Sequence, residues 1–300
     1  MNRVSRVLAI LLGLALLLPG CGTKPSEKKG LRVLCTVFPM YVFTRNVVGD
    51  IPGVSVELML PASLGCPHDY SLTPGDMEKI MGADVLVVNG LGLEEFLAKP
   101  ALGANLRLKV INASYGLEPI TDSHGTNPHA WVSLTDAFAQ MRNIAFGLAD
   151  LDPKNAAQYK KNGAAYAADL MVLRTDFLLA LKDVPNKRIV TFHDAFVYFA
   201  KDLGLEVVAV IEETPGQEPS AGDLAKLAKT IKETKPIGIF AEPQYPEKVA
   251  DVLSGESGIP VYVLDPVASG EMTQTAYMDG MRKNLETLKK AIETTKSNKQ

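Results

Sequence analysis

Between residues 31 and 114, and again between 188 and 266, short β-branched apolar runs alternate with helical stretches. An uninterrupted helical pattern separates the two blocks. This doubled alternation limits the fold more than any other feature of the chain. In the first block "LRVLCTVF" (31–38), "VSVELML" (54–60), "ADVLVVNG" (83–90) and "RLKVINAS" (107–114) read as strands. Helices are expected from Tyr41, from Pro74 and at "EEFLAK" (94–99). Apolar runs of this length with helices between them fit a parallel sheet covered on both faces. In the second block "RIVTFHDA" (188–195), "LEVVAVIEE" (205–213), "IGIFAEP" (237–243) and "VYVLDP" (261–266) repeat the outline. Ser220 is an expected N-cap for "AGDLAKLAKTIKET", and a long amphipathic helix over 274–294 closes the chain.

Between the blocks, "LTDAFAQMRNIAFGLADLD" (134–152) reads as one helix and the stretch from Pro153 to Leu181 as another. Ala156, Tyr159, Gly163, Tyr166, Leu170, Leu173, Phe177 and Leu181 keep spacings of three or four. Such a helix is on the order of 45 Å long. A helical hairpin arm is one reading. A rod joining two lobes fits better, because alternation resumes after Pro185. The expected architecture is α/β: two four-stranded parallel-sheet lobes, 31–150 and 185–300, joined by a long rigid helix over 151–184.

The first residues stand apart from this pattern. "MNRVSRVLAILLGLALLLPGC" carries two arginines, an apolar run from Val7 to Leu18, and then Cys21. That is a secretory signal over 1–20, too short for a comfortable membrane span. Its end resembles a lipobox, with Pro19 a mild departure, which makes Cys21 the expected lipidated residue and 21–30 a polar tether. The expected location is extracytoplasmic, anchored by lipid to a bacterial membrane, in a periplasm or on the outer face of the cell. Losing Arg3 and Arg6 with the signal leaves 29 basic residues against 34 acidic ones, a net charge of −5. Neither nucleic acid nor a basic membrane-binding face is indicated. Cys35 and Cys66 could pair in an oxidising compartment. Buried free thiols are the alternative, and a thiolate ligand from Cys66 ranks below both.

Candidate chemistry gathers at strand ends. In "GCPHDYSLTPGD" (65–76), Thr73 is an N-cap, Pro74 fits the first turn and Asp76 completes a capping-box pattern. His68 therefore lies between the carboxyl end of a strand and the next helix, where α/β proteins bind ligands. His129 follows the fourth strand of the same lobe, His193 ends the first strand of the second lobe, and Asp265 ends its last. If those edges face each other across a cleft, three imidazoles and a carboxylate converge. That donor set suits a borderline divalent ion such as zinc.

"PHDYSLTPGDMEKI", "NPHAWVS", "VTFHDAFVYFAKDLGL" and "YVLDPV" together resemble the cluster A-I solute-binding proteins of ABC importers, the zinc and manganese receptors of the ZnuA/TroA kind. The resemblance runs from Leu31 to the C-terminus. It implies His68, His129, His193 and Asp265 as metal ligands in the cleft between lobes, an ABC permease as partner, and a monomeric receptor. Histidine at the place of His193 goes more often with zinc, while glutamate there marks manganese or iron receptors. Two positions depart from the family pattern. Asn127 stands where aspartate is common, and "VSLTDA" replaces a leucine–aspartate–proline ending. The His-rich loop of many zinc receptors is reduced to "TDSHGT", where His124 reads as a solvated residue.

Glu212, Glu213 and Glu242 read as helix caps or solvent-facing groups that border the cleft, and Trp131 and Tyr198 as packing beside the ligand loops. Three functional readings follow. The first is a receptor for zinc, with manganese or iron as the alternative cargo. The second is an adhesin whose metal is incidental. The third is a secreted zinc hydrolase, disfavoured because four protein ligands close the shell and HExxH is absent. Asp194, the one nearby base, is expected to cap the helix that follows it.

Overall fold

A computed structural model describes residues 30–67, 70–97, 103–122, 125–212, 219–244 and 248–297. Cys21, His68, His124 and Glu213 lie outside the described residues. Two parallel four-stranded sheets are present, as the strand–helix alternation requires. The first contains β1 (Leu31–Cys35), β2 (Val54–Leu58), β3 (Val85–Val88) and β4 (Lys109–Asn112), in the order β2-β1-β3-β4. A two-stranded antiparallel ribbon, β5 (Thr121–Asp122) with β6 (Gly125–Thr126), follows and was not expected. The second sheet contains β7 (Arg188–Thr191), β8 (Glu206–Val210), β9 (Ile239–Ala241) and β10 (Val261–Val263), in the order β10-β9-β7-β8. Numbered within its own block, each sheet has the order 2-1-3-4. Each therefore reverses direction between its first and third strands, the place where ligand crevices open in such folds.

Helices α1 (Phe38–Val48) and α2 (Pro74–Gly82) belong to the first block, and α3 (Leu134–Leu151) and α4 (Ala156–Leu181) form the middle. The second block carries α5 (Val197–Leu203), α6 (Ala221–Thr234), α7 (Lys248–Ser257) and α8 (Ala276–Ser297). The first helix begins three residues before the expected Tyr41, because Pro39 occupies its first turn, where a missing N–H costs nothing. The stretch expected as a helix at 94–99 starts as consecutive turns over 91–96.

Helix α4 spans 26 residues, about 39 Å. A short 3-10 turn at Pro153–Asn155 precedes it. Its buried face is Tyr159, Gly163, Ala167, Leu170, Leu173, Phe177 and Leu181. The expected stripe is thus altered at two positions: Ala156 is only half-buried, and Ala167 is buried in place of Tyr166. The helix is also half of a hairpin, packed along α3. Their approach is so close that a Cβ on Gly163 would meet the Ala145 Cβ at 2.8 Å. Rod and hairpin are both realised.

One continuous core runs from Val33, Leu34 and Leu86 of the first sheet, through Met141, Leu170 and Phe177, to Phe240, Tyr262 and Leu264 of the second block. A smaller cluster around Val190, Phe192 and Ile239 is covered by Ile231 of α6 and Leu253 of α7. A cluster at Asp202 adds polar ties. Its carboxylate accepts from Thr135 N–H (3.0 Å), Thr135 Oγ1 (2.7 Å), Ser133 Oγ (3.2 Å) and Arg174 Nε (2.7 Å). The start of α3, the middle of α4 and the end of α5 are fastened at that point.

Candidate metal centre

The loop that carries His129 is built before the ring is placed. Asn89, which follows β3, donates its side-chain amide to Pro128 O at 2.9 Å, and Gln140 of α3 donates to Asn89 Oδ1 at 2.9 Å. Tyr198 Oη donates to Asn127 O at 3.0 Å and accepts from Ile120 N–H at 2.9 Å. Trp131 Nε1 donates to Pro266 O at 2.9 Å, and Tyr277 Oη donates to Trp131 O at 2.5 Å. Trp131 and Tyr198 thus position loops, as expected.

Asn127 accounts for its departure from the family pattern. Its Oδ1 accepts from His129 N–H at 3.0 Å and from the His129 ring Nδ1 at 3.1 Å. Its amide nitrogen donates to Asp194 Oδ2 at 2.8 Å and to Asp194 O at 3.0 Å. An aspartate could perform the first task but has no proton for the second. Asp194 is therefore not the helix cap that was expected. It makes no capping bond, takes the Asn127 amide, and holds Oδ1 3.9 Å from His129 Nδ1. The Ser133 that begins "SLTDA" caps α3 by accepting Asp136 N–H at 3.0 Å.

His193 leaves β7, and Glu242 leaves the adjacent β9. The switch point of the second sheet brings them together, and the Glu242 carboxylate bonds the Nδ1–H of His193 and also accepts its backbone N–H at 3.3 Å. Both side chains are buried. Burial alone would depress the His193 imidazolium, but hydrogen bonds to Cys66 and Glu242 outweigh it and lift its pKa to about 10. Burial pushes the Glu242 carboxyl up, with His193 pulling it back. Glu242 was read as a cap or a solvated group; it instead orients an imidazole, the usual role of a carboxylate behind a metal-binding histidine. The switch point of the first sheet also holds a half-buried carboxylate. Glu94 accepts from Thr36 Oγ1 at 2.8 Å and from the backbone N–H groups of Asn89 (2.6 Å) and Gly90 (3.0 Å).

With Nδ1 of each ring so engaged, Nε2 is the atom each histidine would present to a metal. The His129 and His193 rings meet edge to face with centroids 5.1 Å apart. One donor atom from each, together with Cys66 Sγ, lies within 4.8 Å of the other two. The structure therefore brings together two of the four expected ligands and adds a thiol. Donors around a tetrahedral zinc stand roughly 3.5 Å apart, so a contraction of about 1 Å closes this group on an ion.

Asp265 is not in that group. It lies at the exit of β10, near enough to Glu242 to raise the latter's pKa further. Its backbone is held by Asn284 of α8, with Asp265 N–H donating to Asn284 Oδ1 (2.9 Å) and Asn284 Nδ2 donating to Asp265 O (2.6 Å). Its Oδ1 accepts from Val267 N–H at 2.7 Å, and Val267, a β-branched residue, is held in the left-handed region at φ 54°. Strain of that kind collects where a loop must be aimed. Cys35 and Cys66 form no disulfide.

The family model described as the zinc-uptake complex component A, periplasmic (ZnuA), matches residues 33–291. The high-affinity zinc uptake system protein ZnuA of Bacillus subtilis is 34% identical over 304 residues, covering 92% of this chain and 94% of that protein. The zinc-binding lipoprotein AdcA of Streptococcus pneumoniae is 31% identical over 315 residues, covering 98% of this chain and 62% of its own length. Among solved structures, the solute-binding protein FpvC of Pseudomonas aeruginosa in complex with Mn2+ superposes with a TM-score of 0.80 at 33% identity, covering 89% of this chain and 100% of that one. Fold and sequence agree: the chain belongs to the ZnuA family of metal-binding solute-binding proteins.

Proposed function

We propose that this protein is an extracytoplasmic receptor for a divalent metal ion, zinc before manganese, which it hands to an ABC permease. The observation that carries the proposal is the convergence of His129 and His193, from opposite blocks of the chain, on one buried donor group. The family is one of receptors rather than enzymes, and the metal is cargo. Neutral imidazoles favour zinc. His129 and His193 supply two ligands, and the family motifs supply His68 and Asp265 as the others. Residues 31–150 and 185–300 act as the two lobes and 151–184 as their connector. A lipid on Cys21 tethers the monomer to its membrane.

Capture and release follow from the core. A wide hinge would have to open apolar surface that runs unbroken through α3 and α4 into the second block, and close-packed interiors resist such opening. Small movements of the loops at the strand ends are the cheaper route to closing on an ion.

Competition titration of the metal-free protein with zinc and manganese, beside His193→Ala, tests the reading. One zinc bound tightly, lost in the variant and not displaced by excess manganese, is the expected result. Zinc should also raise the melting temperature by ligand linkage, worth about 2.7 kcal/mol at a hundredfold excess over Kd. Absence of zinc binding by the unmodified chain would end the proposal.

A further inference from the structure

The donor group contains a thiol that the four-ligand scheme does not use. Cys66 sits in the loop that leaves β2, and that loop is held near its start. Gly270 N–H donates to Ala62 O at 3.0 Å, which fastens the loop to the segment after β10. Gly65 turns the chain immediately before the cysteine at φ 77°, and Pro67 immediately after it is buried. The thiol is thereby set beside two imidazoles that come from other loops, with its Sγ within 4.8 Å of a nitrogen of each. It is not spent on a disulfide, and Cys35 is buried separately in β1. Asp265, the carboxylate that would complete the shell, is outside this group. Where a carboxylate is expected closest, the structure has sulfur.

We propose that Cys66 is a thiolate ligand of the cargo ion, beside His129 and His193, and that it biases the site toward zinc and against manganese. The inference rests on the receptor reading above, refines its cargo, and puts sulfur in the position that reading gives to Asp265. As the ion enters, the thiol S–H bond breaks, its electron pair forms the sulfur–metal bond, and the proton leaves to solvent. No oxidation state changes. The selectivity follows from ligand softness, since thiolate favours zinc whereas manganese is best served by carboxylate, carbonyl and water oxygens. A metal ion is itself sufficient to deprotonate a thiol it binds.

Cobalt(II) is the probe, because its spectrum reports both binding and ligand type. The unmodified chain loaded with cobalt should show visible d–d bands together with a near-ultraviolet sulfur-to-cobalt charge-transfer band. Cys66→Ser should keep the d–d bands and lose the charge-transfer band, which assigns the band to Cys66 rather than to another cysteine. In parallel titrations, Cys66→Ser should lose zinc affinity by roughly tenfold or more, the scale at which even outer partners of a site act. Manganese affinity should change little, so the preference between the two metals narrows. Cobalt bound by the unmodified chain without a charge-transfer band overturns Cys66 as a ligand and leaves the receptor reading intact. Equal losses for zinc and manganese in Cys66→Ser assign the residue a purely structural role and overturn the selectivity claim. A chain that binds neither cobalt nor zinc overturns the receptor reading, and this inference with it.

Discussion

The side-chain amide of Asn127 donates to Asp194 Oδ2 at 2.8 Å, joining the residue two before His129 to the residue immediately after His193. One amide thus couples the two histidine loops, accepting from His129 on one side and donating to Asp194 on the other. Asn127→Asp keeps the acceptor, removes the donor and sets two carboxylates face to face. Zinc affinity should fall roughly 10- to 100-fold, the range for partners that orient a metal-binding histidine. The double variant Asn127→Asp/Asp194→Asn restores a donor–acceptor pair and should recover most of the loss, measured by competition with a chelating dye.

His193 should release a proton when metal binds. Its folded pKa of about 10 lies above the ordinary 6.5, so the metal-free protein carries this imidazole protonated at neutral pH. Protonation of His193 favours the metal-free fold, a contribution complete below the unfolded value and lost as pH rises through about 10. Ligation needs the neutral ring. Zinc affinity should therefore rise with pH through the neutral range and fall on acidification. Calorimetric titration at pH 7 in buffers of different ionisation enthalpy should count a proton released from this site. Glu242→Gln should reduce that release, together with a 10- to 100-fold loss of affinity. An unchanged proton count in the variant would show that Glu242 does not hold the proton on His193.

Asp76 stabilises the start of α2. Burial pushes its carboxyl up, but hydrogen bonds from Thr73 N–H, Tyr70 Oη and Thr73 Oγ1 outweigh that and hold its pKa below the ordinary value. Because the folded value is depressed, its contribution is complete above about pH 4 and is lost as pH falls through the folded pKa. Asp76→Ala should cost about 1–2 kcal/mol at pH 7, as for other helix N-terminal caps. The gap from the unmodified protein should close below pH 4, measured by urea denaturation across pH.

Gly163 sets the separation of α3 and α4. Gly163→Ala improves helix propensity by about 1 kcal/mol, yet its Cβ would lie 2.8 Å from the Ala145 Cβ. Overpacking of this kind costs about 1–3 kcal/mol, so the variant should melt below the unmodified chain. Adding Ala145→Gly should restore much of the difference. A more stable Gly163→Ala would mean that the hairpin separates easily.

Much of this fold is local and therefore readable in chain order. Strand–helix alternation, the capping box of Thr73 and Asp76, the Ser220 cap and the buried stripe of α4 depend on contacts within a few residues, and they appear where periodicity and capping chemistry put them. Errors fall at edges: Pro39 starts α1 early, and Ala167 replaces Tyr166 in the buried stripe. The placement of His193 and Asp265 at strand exits was legible for the same reason, because it needs only the order of elements, whereas His129 follows the unforeseen ribbon of β5 and β6 rather than β4.

Which strand-end groups meet was decided by the tertiary structure. Glu242 reaches His193 across 49 residues because β9 lies beside β7 in the sheet, a neighbour relation that no local pattern encodes. Asn127 finds Asp194 across 67 residues because packing against α5 brings the two blocks together. Cys66 joins the imidazoles, and Asp265 does not, because the position of a side chain relative to a distant loop is fixed by close packing of the whole core. Sequence by itself determined the kinds of donor and the ends of the strands that carry them. Their distances and their partners came from the fold, since hydrogen bonds and metal shells act over a few ångströms while the chain joins their members over dozens of residues.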